Sequence, residues 1–158
     1  MIKTSKHTYY LALAYTVASK SIDDSTKCGC VAVDAYGAIL STGYNGPPIG
    51  FPDDIVPMTR PEKYIYFEHA ERNCIYNAAR AGIKLVGCVF YVTGPPCYDC
   101  LRAMIQCRPD AIFYGCRKTH KKFNKSIYKE LLRNQNIKFA ELIDYNRMAL
   151  QLLKSIKQ

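Results

Sequence analysis

The sequence has no apolar run long enough to cross a bilayer, no internal repeat and no low-complexity linker among its 158 residues. A transmembrane helix needs about 20 consecutive apolar residues, so a membrane protein is not expected. The chain contains 49% hydrophobic and 22% charged residues, which also argues against a disordered, collagen-like or coiled-coil protein. One globular domain spanning residues 1–158 is therefore predicted.

The sequence also lacks a tract rich in arginine and lysine, although its formal net charge is +9. Such an excess favours an anionic partner, namely a nucleotide, a nucleic acid or an acidic protein surface. A solubility surplus explains the charge equally well. No extended basic and aromatic face is evident, so a small-molecule nucleotide is a better candidate partner than a nucleic acid.

The eight cysteines are spaced unevenly, and a chain of this size can build a core without covalent cross-links. The N-terminal segment loosely imitates a signal peptide. Its apolar residues nevertheless follow a helical spacing, which favours an amphipathic first helix: Tyr10, Leu11, Ala14, Val17 and Ala18. A reduced, cytoplasmic protein is the resulting expectation.

The hydrophobic pattern predicts helices that alternate with strands. Helices are expected at 8–20, 69–81, 97–107, SIYKELLRN and 144–157, a hairpin at CGCVAVDAYGAILSTGYNG, and strands at CVFYVT, AIFYG and IKFAEL. Because the later strands alternate with helices, they should be parallel and covered on both faces. The predicted fold class is α/β, a three-layer α/β/α sandwich with a mixed sheet of about five strands. Residues 46–66 contain five prolines and are expected to form a long functional loop.

The chain has only three histidines. His7 and His120 have no sequence partner that would make them metal ligands, and both are expected at the surface. His69 instead opens a predicted helix, two residues before Glu71. A lone histidine at a helix start is usually a surface residue, so its role depends on what else reaches the same place.

Cys97 and Cys100 open a second predicted helix after a strand, with the two-residue spacing typical of zinc ligands. Positions three apart share a helix face, so both sulfurs can reach one point. Two helix starts at the same sheet can converge, which would give His69, Cys97 and Cys100 as ligands with an open fourth position. That arrangement is typical of a catalytic zinc ion, and Glu71 would then move protons. A CxxC pair alone could equally be a redox pair or a coincidence.

The order His-x-Glu followed by Pro-Cys-x-x-Cys is the signature of zinc deaminases. With HAERN, PCYDC and STGYNGPP in place, the sequence resembles the cytidine deaminase superfamily, and within it the deoxycytidylate (dCMP) deaminases. The resemblance runs from about Ser19 to Tyr114. It implies one catalytic Zn²⁺ and hydrolysis of dCMP to dUMP and ammonia, with Glu71 as the proton shuttle.

The resemblance also implies substrate contacts. Asn45, in GYNG, would contact the sugar or the base, although Asn-Gly is also a common tight turn. An anionic substrate needs donors and positive charge, for which Ser19, Lys20, Arg117 and Lys118 are candidates.

Two further assignments come from the resemblance alone. Family members tend to close an aromatic side chain over the substrate, and either Tyr114 or Phe123 could take that place. Arg80 lies at a helix position that resembles one used by the family for subunit contacts. An ordinary exposed arginine is the alternative interpretation. The family is usually oligomeric, with a hexamer favoured, and many members respond to dCTP and dTTP as effectors, which would bring Mg²⁺ with the nucleotide.

Two other functions remain open at this point. A deaminase that acts on RNA, such as on tRNA adenosine, would account for the basic charge. A non-catalytic zinc protein that binds nucleotides would account for the ligands, but it has no use for Glu71.

Overall fold

The computed structural model describes residues 4–116 and 124–156. The bounds of its helices and strands are α1 Lys6–Ala18, β1 Gly29–Val33, β2 Ile39–Tyr44, α2 Lys63–Tyr66, α3 Ala70–Arg80, β3 Val89–Val92, α4 Tyr98–Gln106, β4 Ala111–Tyr114, α5 Lys125–Leu131, β5 Lys138–Glu141 and α6 Ile143–Ser155. From α3 onward helices and strands alternate along this part of the chain, as the sequence predicts.

The five strands form one mixed sheet in the order β2-β1-β3-β4-β5. β1 is antiparallel to both β2 and β3, whereas β3, β4 and β5 are parallel to one another. Every residue of β1 and β4 is buried, as expected for strands covered on both faces. The predicted mixed sheet and its parallel half are therefore confirmed.

Helices cover both faces of the sheet, because successive strand residues point to opposite sides. Val31 packs into a core beneath α1 and α6 that includes Leu11 and Phe113. Its neighbour Cys30 packs into the opposite core, under α3 and α4, with Leu101. The three-layer α/β/α sandwich is thus confirmed, with one apolar cluster on each side of the sheet.

Two local predictions need correction. The 46–66 segment is not wholly irregular, since it contains a 3₁₀ turn at Asp53–Ile55 and the short helix α2. His7 is not a surface residue: its Nδ1 lies 2.9 Å from the Tyr91 hydroxyl, and its half-buried ring packs 4.7 Å from that of Phe113. His120 lies outside the described residues. No helix in the described part of the chain is both long and apolar enough to traverse a membrane.

The helix α3 lies unusually close to β2, and this approach positions its first residues. A Cβ added at Gly43 would lie 2.2 Å from the Cys74 nitrogen and 2.3 Å from the Ala70 carbonyl oxygen, so only glycine fits there. The Asn73 and Asn77 amides each donate to a β2 carbonyl at 2.8 Å. These contacts fix α3, and with it the residue at its N-terminus, relative to the sheet.

Candidate active site

His69 is the N-cap residue of α3, in extended backbone geometry. The neighbouring Glu68 fixes this position in two ways. Its backbone pairs with Gly46 through hydrogen bonds of 2.8 and 3.1 Å. Its carboxylate accepts a hydrogen bond from the His69 backbone N–H at 2.9 Å and forms an ion pair with Arg72. The imidazole is therefore held at a helix start that is tied to the GYNG loop.

Cys97 is the N-cap residue of α4, and Cys100 lies one turn later, fully buried. The Cys97 carbonyl accepts the Leu101 N–H at 2.8 Å, which begins the helix. The buried Tyr128 hydroxyl of α5 donates to the carbonyl of Pro96, the residue before Cys97. The segment that enters α4 is thus held by the first hydrogen bond of that helix and by a side chain of α5.

The two helix starts bring one nitrogen and two sulfurs together. His69 Nδ1 lies 3.4 Å from Cys97 Sγ and 3.4 Å from Cys100 Sγ, and the three ligand atoms all lie within 4.8 Å of one another. Tetrahedral zinc, with Zn–S about 2.3 Å and Zn–N about 2.0–2.1 Å, separates a nitrogen from a sulfur ligand by about 3.6 Å. The predicted trio therefore has the donor set and the spacing that zinc requires.

The electrostatics of the trio also suit a metal site. A hydrogen bond from the Cys100 thiol, joined by the contact with His69, lowers the pKa of Cys97 to about 4 in spite of burial. The pKa of Cys100 is raised in turn, by its hydrogen bond to Cys97 and by burial, since two adjacent thiolates would repel each other. The hydrogen bond with Cys97 raises the pKa of His69. Cysteine binds zinc as thiolate, and a bound dication would remove the repulsion.

Glu71 lies in the first turn of α3 and is 6% exposed. Burial raises the pKa of its carboxyl, although its own backbone N–H, His69 and the Cys100 thiol oppose that shift. Such a carboxyl accepts and returns protons more readily near neutral pH than an exposed glutamate does. The chemistry expected of Glu71 is compatible with its surroundings.

A cavity opens onto His69, Glu71 and Cys97. It is lined by His69, Glu71 and Cys97, by residues before β1, after β2 and in or beside α2, and by residues at the start of α3 and at the end of β3 with the loop after it, namely Asp23, Thr26, Cys28, Asn45, Arg60, Lys63, Tyr64, Phe67, Ala70, Val92, Gly94 and Pro95. The cavity thus joins the candidate ligands to the 46–66 segment, which the proline-rich sequence marks as a functional loop.

Asn45 lines this cavity, but its amide is largely committed to the protein. Its Oδ1 accepts the Cys28 backbone N–H at 2.6 Å. Its Nδ2 donates to the Thr26 carbonyl at 2.8 Å and to Asp23 Oδ2 at 3.2 Å. Both amide hydrogens are therefore used, and one lone pair of Oδ1 is what Asn45 can still offer to a substrate hydroxyl.

The other sequence-predicted contacts lie elsewhere. Ser19 and Lys20 are exposed at the end of α1, and Tyr114 is buried with its ring 4.9 Å from that of Phe139. None of the three is among the described residues that line the cavity. Arg80 is exposed at the end of α3, where it donates to Asn77 at 3.0 Å. Arg117, Lys118 and Phe123 lie outside the described residues.

Sequence reasoning missed a buried ion pair on the cavity wall. Lys63 Nζ lies 2.9 Å from both carboxylate oxygens of Asp23 and 2.7 Å from Ser25 Oγ, and the two charged side chains are 3% and 6% exposed. Burial alone would raise the pKa of Asp23, but Lys63 and hydrogen bonds from Ser25 and Thr26 hold it below its ordinary value. The pair fastens α2 to the loop before β1. The partners are 40 positions apart in the sequence, and no pattern in the intervening segment predicts their contact.

Replacing Cys97 by alanine is expected to weaken zinc binding by more than the roughly 10–100-fold that loss of an outer-sphere partner costs. One of three protein ligands is removed, while α4 retains its backbone start. Metal content after dialysis against a graded chelator measures the effect. Cys107→Ala, at the opposite end of the same helix, is the matched control and should keep its zinc. Equal zinc retention by both variants would show that the ligand set is wrong.

The family model described as the cytidine and deoxycytidylate deaminase zinc-binding region matches residues 4–116. A probable deoxycytidylate deaminase of Caenorhabditis elegans is 34% identical over 142 residues, which cover 87% of this chain and 70% of the relative. The human deoxycytidylate deaminase is 30% identical over 141 residues, covering 85% of this chain and 78% of the relative.

Solved structures share the fold. The dCMP deaminase of cyanophage S-TIM5, solved in complex with dCMP and dUMP, superposes with a TM-score of 0.70 at 22% identity, over 90% of this chain and 100% of that one. A tRNA:A34 deaminase superposes with a TM-score of 0.62 at 21% identity, over 87% and 100%. At these identities the likeness shows the architecture, which is common to enzymes with different substrates.

Proposed function

Because the chain belongs to the cytidine and deoxycytidylate deaminase family, we propose that it is a zinc-dependent hydrolase that converts dCMP to dUMP and ammonia. The proposal rests on one observation above all. The His69, Cys97 and Cys100 ligand atoms meet within 4.8 Å, and the buried carboxyl of Glu71 lines the same cavity. A purely structural zinc site has no need of that carboxyl.

His69, Cys97 and Cys100 hold the zinc ion in this proposal. When bound, zinc lowers the pKa of a water molecule to about 7 and so supplies a nucleophile near neutral pH. Glu71 accepts the proton of the attacking water on a carboxylate oxygen and passes it to ring nitrogen N3. The same carboxyl then takes the second proton of that water from the hydroxyl on C4 and gives it to the amino group, and the C4–N4 bond breaks to release ammonia. The water oxygen remains on C4 as the carbonyl of uracil.

Several features support a free cytosine nucleotide as the substrate. The similar worm and human proteins are both named deoxycytidylate deaminases. The cavity is a partly open pocket lined in part by loop residues, a form typical of small-molecule sites. The net charge of +9 favours an anionic ligand. A tRNA adenosine remains the competing substrate for the experiment to exclude.

An ammonia-release screen tests this function. Purified zinc-loaded protein is incubated with cytidine, deoxycytidine, CMP, dCMP and dCTP, and with tRNA in a separate assay for inosine. We expect dCMP to give the highest kcat/KM. Absence of ammonia from every cytosine compound would overturn the proposal, and inosine formation in its place would establish an RNA substrate.

The proposal also covers the domain organisation, the oligomeric state, the effectors and the location of the protein. Residues 1–158 form a single deaminase domain that assembles into a homo-oligomer, with a hexamer favoured, and dCTP and dTTP with Mg²⁺ act as effectors. Ile49, Ile65 and Ile143, which are 79%, 82% and 63% exposed, are apolar side chains that a subunit interface would bury. All eight cysteines are free thiols, which supports a reducing, cytoplasmic location.

A further inference from the structure

We propose that Arg60 binds the 5′-phosphate of the substrate and thereby selects nucleotides over nucleosides, an inference that rests on the proposed function. The sequence suggested Ser19, Lys20, Arg117 and Lys118 for this part. Neither Ser19 nor Lys20 lines the cavity, and Arg117 and Lys118 lie outside the described residues. Arg60 lies in the 46–66 segment, where no sequence motif pointed to it.

The charges on the cavity wall single out Arg60. Among the described lining residues, Arg60 and Lys63 are the arginine and lysine side chains. The Lys63 ammonium is buried and held by both oxygens of Asp23 at 2.9 Å and by Ser25 at 2.7 Å. Its charge and its donor hydrogens are thus committed inside the protein. Within the described part of the chain Arg60 makes no ion pair, and it is exposed.

The same ion pair that neutralises Lys63 also places Arg60. Lys63 ties α2 to the loop before β1, and its backbone N–H donates to the Thr59 carbonyl at 2.9 Å. This closes the turn 59–63, which contains Arg60. The Arg60 guanidinium then lies 5.8 Å from the centre of the Tyr64 ring, a weak contact that orients a cation without neutralising it. Arg60 is therefore held at the cavity wall with its donors available to a ligand.

A guanidinium suits a phosphate monoester in both charge and shape. It is always protonated, and its planar N–H groups can donate in pairs to phosphate oxygens. A cytosine nucleotide with its ring against His69 and Glu71 must place its phosphate on another part of the same wall. Arg60 supplies the uncompensated positive charge there, whereas the nucleoside, which lacks the phosphate, gains nothing from it.

The test compares Arg60→Ala, Arg60→Lys and the control Arg133→Ala. Arg133 is an exposed arginine paired with Glu130 at 3.3 Å, beyond α5. For each zinc-loaded variant, kcat/KM is measured for dCMP, and inhibition constants are measured for dUMP and for deoxyuridine. A charged hydrogen-bond pair corresponds to about 10- to 100-fold in affinity. We expect Arg60→Ala to lower kcat/KM for dCMP by that factor, chiefly through a higher KM. The inhibition constant of dUMP should rise by the same factor, while that of deoxyuridine is unchanged.

Arg60→Lys should lose less than Arg60→Ala, because lysine keeps the charge but not the paired donors. Arg133→Ala should match the wild type. Equal weakening of dUMP and deoxyuridine, or unchanged dUMP binding in Arg60→Ala, would overturn the inference while leaving the proposed function intact. A wild-type protein that deaminates no cytosine nucleotide would instead overturn the proposed function and this inference with it.

Discussion

Glu71→Gln is expected to lose turnover by at least about 10²–10⁴-fold while keeping its zinc and its fold. General acid–base catalysis by one positioned group contributes about that much, and in the proposed reaction both proton transfers pass through this carboxyl. Glutamine has nearly the same shape, so it can occupy the buried site without a cavity. It cannot accept the water proton or return it to N3.

Three measurements separate this result from simple damage. Steady-state ammonia release gives kcat, metal analysis gives zinc content, and thermal unfolding reports the fold. Glu130→Gln changes an exposed acid on α5 and should retain full activity. If Glu71→Gln turned over dCMP within about threefold of the wild type, general acid–base catalysis by Glu71 would be disproved.

The sheet could be predicted because its signal is local. The strands of the parallel half are short runs of apolar, aromatic and β-branched residues, of the kind that the sequence pattern recognises. Element ends were less well predicted, as for α1, which begins at Lys6 and ends at Ala18 instead of spanning 8–20. Helix ends depend on capping contacts, here the Ser5 hydroxyl accepting the Thr8 N–H at 3.1 Å.

The ligand trio could be predicted because each member sits within a short motif at a helix start. His69 and Cys97 are both N-cap residues, and two helices entering from the same sheet bring such positions together. The rest of the cavity wall could not be predicted in this way, because its residues are distant from one another in the sequence. Asn45 Nδ2 donates to Asp23 Oδ2 at 3.2 Å although the two residues are 22 positions apart in the sequence, and no periodicity predicts such a contact. The proline-rich sequence indicates a functional loop, but it does not indicate which residues of that loop face the cavity.

Lys63→Met is expected to destabilise the protein by about 3–5 kcal/mol. The substitution keeps the length of the side chain but leaves the Asp23 carboxylate buried without its cation. Asp23 retains the hydrogen bonds from Ser25 and Thr26, at 2.8–3.0 Å, and these offset only part of the cost. Urea unfolding of the two proteins measures the difference in the free energy of unfolding. Arg133→Met breaks an exposed ion pair and should cost less than about 1 kcal/mol.

A double variant tests whether the cost arises from the unpaired charge. Asp23→Asn together with Lys63→Met leaves no charge in the buried site, so we expect it to be less destabilised than the sum of the two single variants. Strict additivity of the two single changes would show that the partners are not coupled.

Acid titration gives a second view of the same pair. The folded state lowers the pKa of Asp23, so its contribution to stability is complete above its unfolded pKa of about 3.9. That contribution is lost as the pH falls through the lower folded value. Lys63→Met removes the main cause of the low pKa, so its stability should fall less steeply with acid than that of the wild type. An unchanged slope would mean that Lys63 does not hold the Asp23 carboxylate in its charged form.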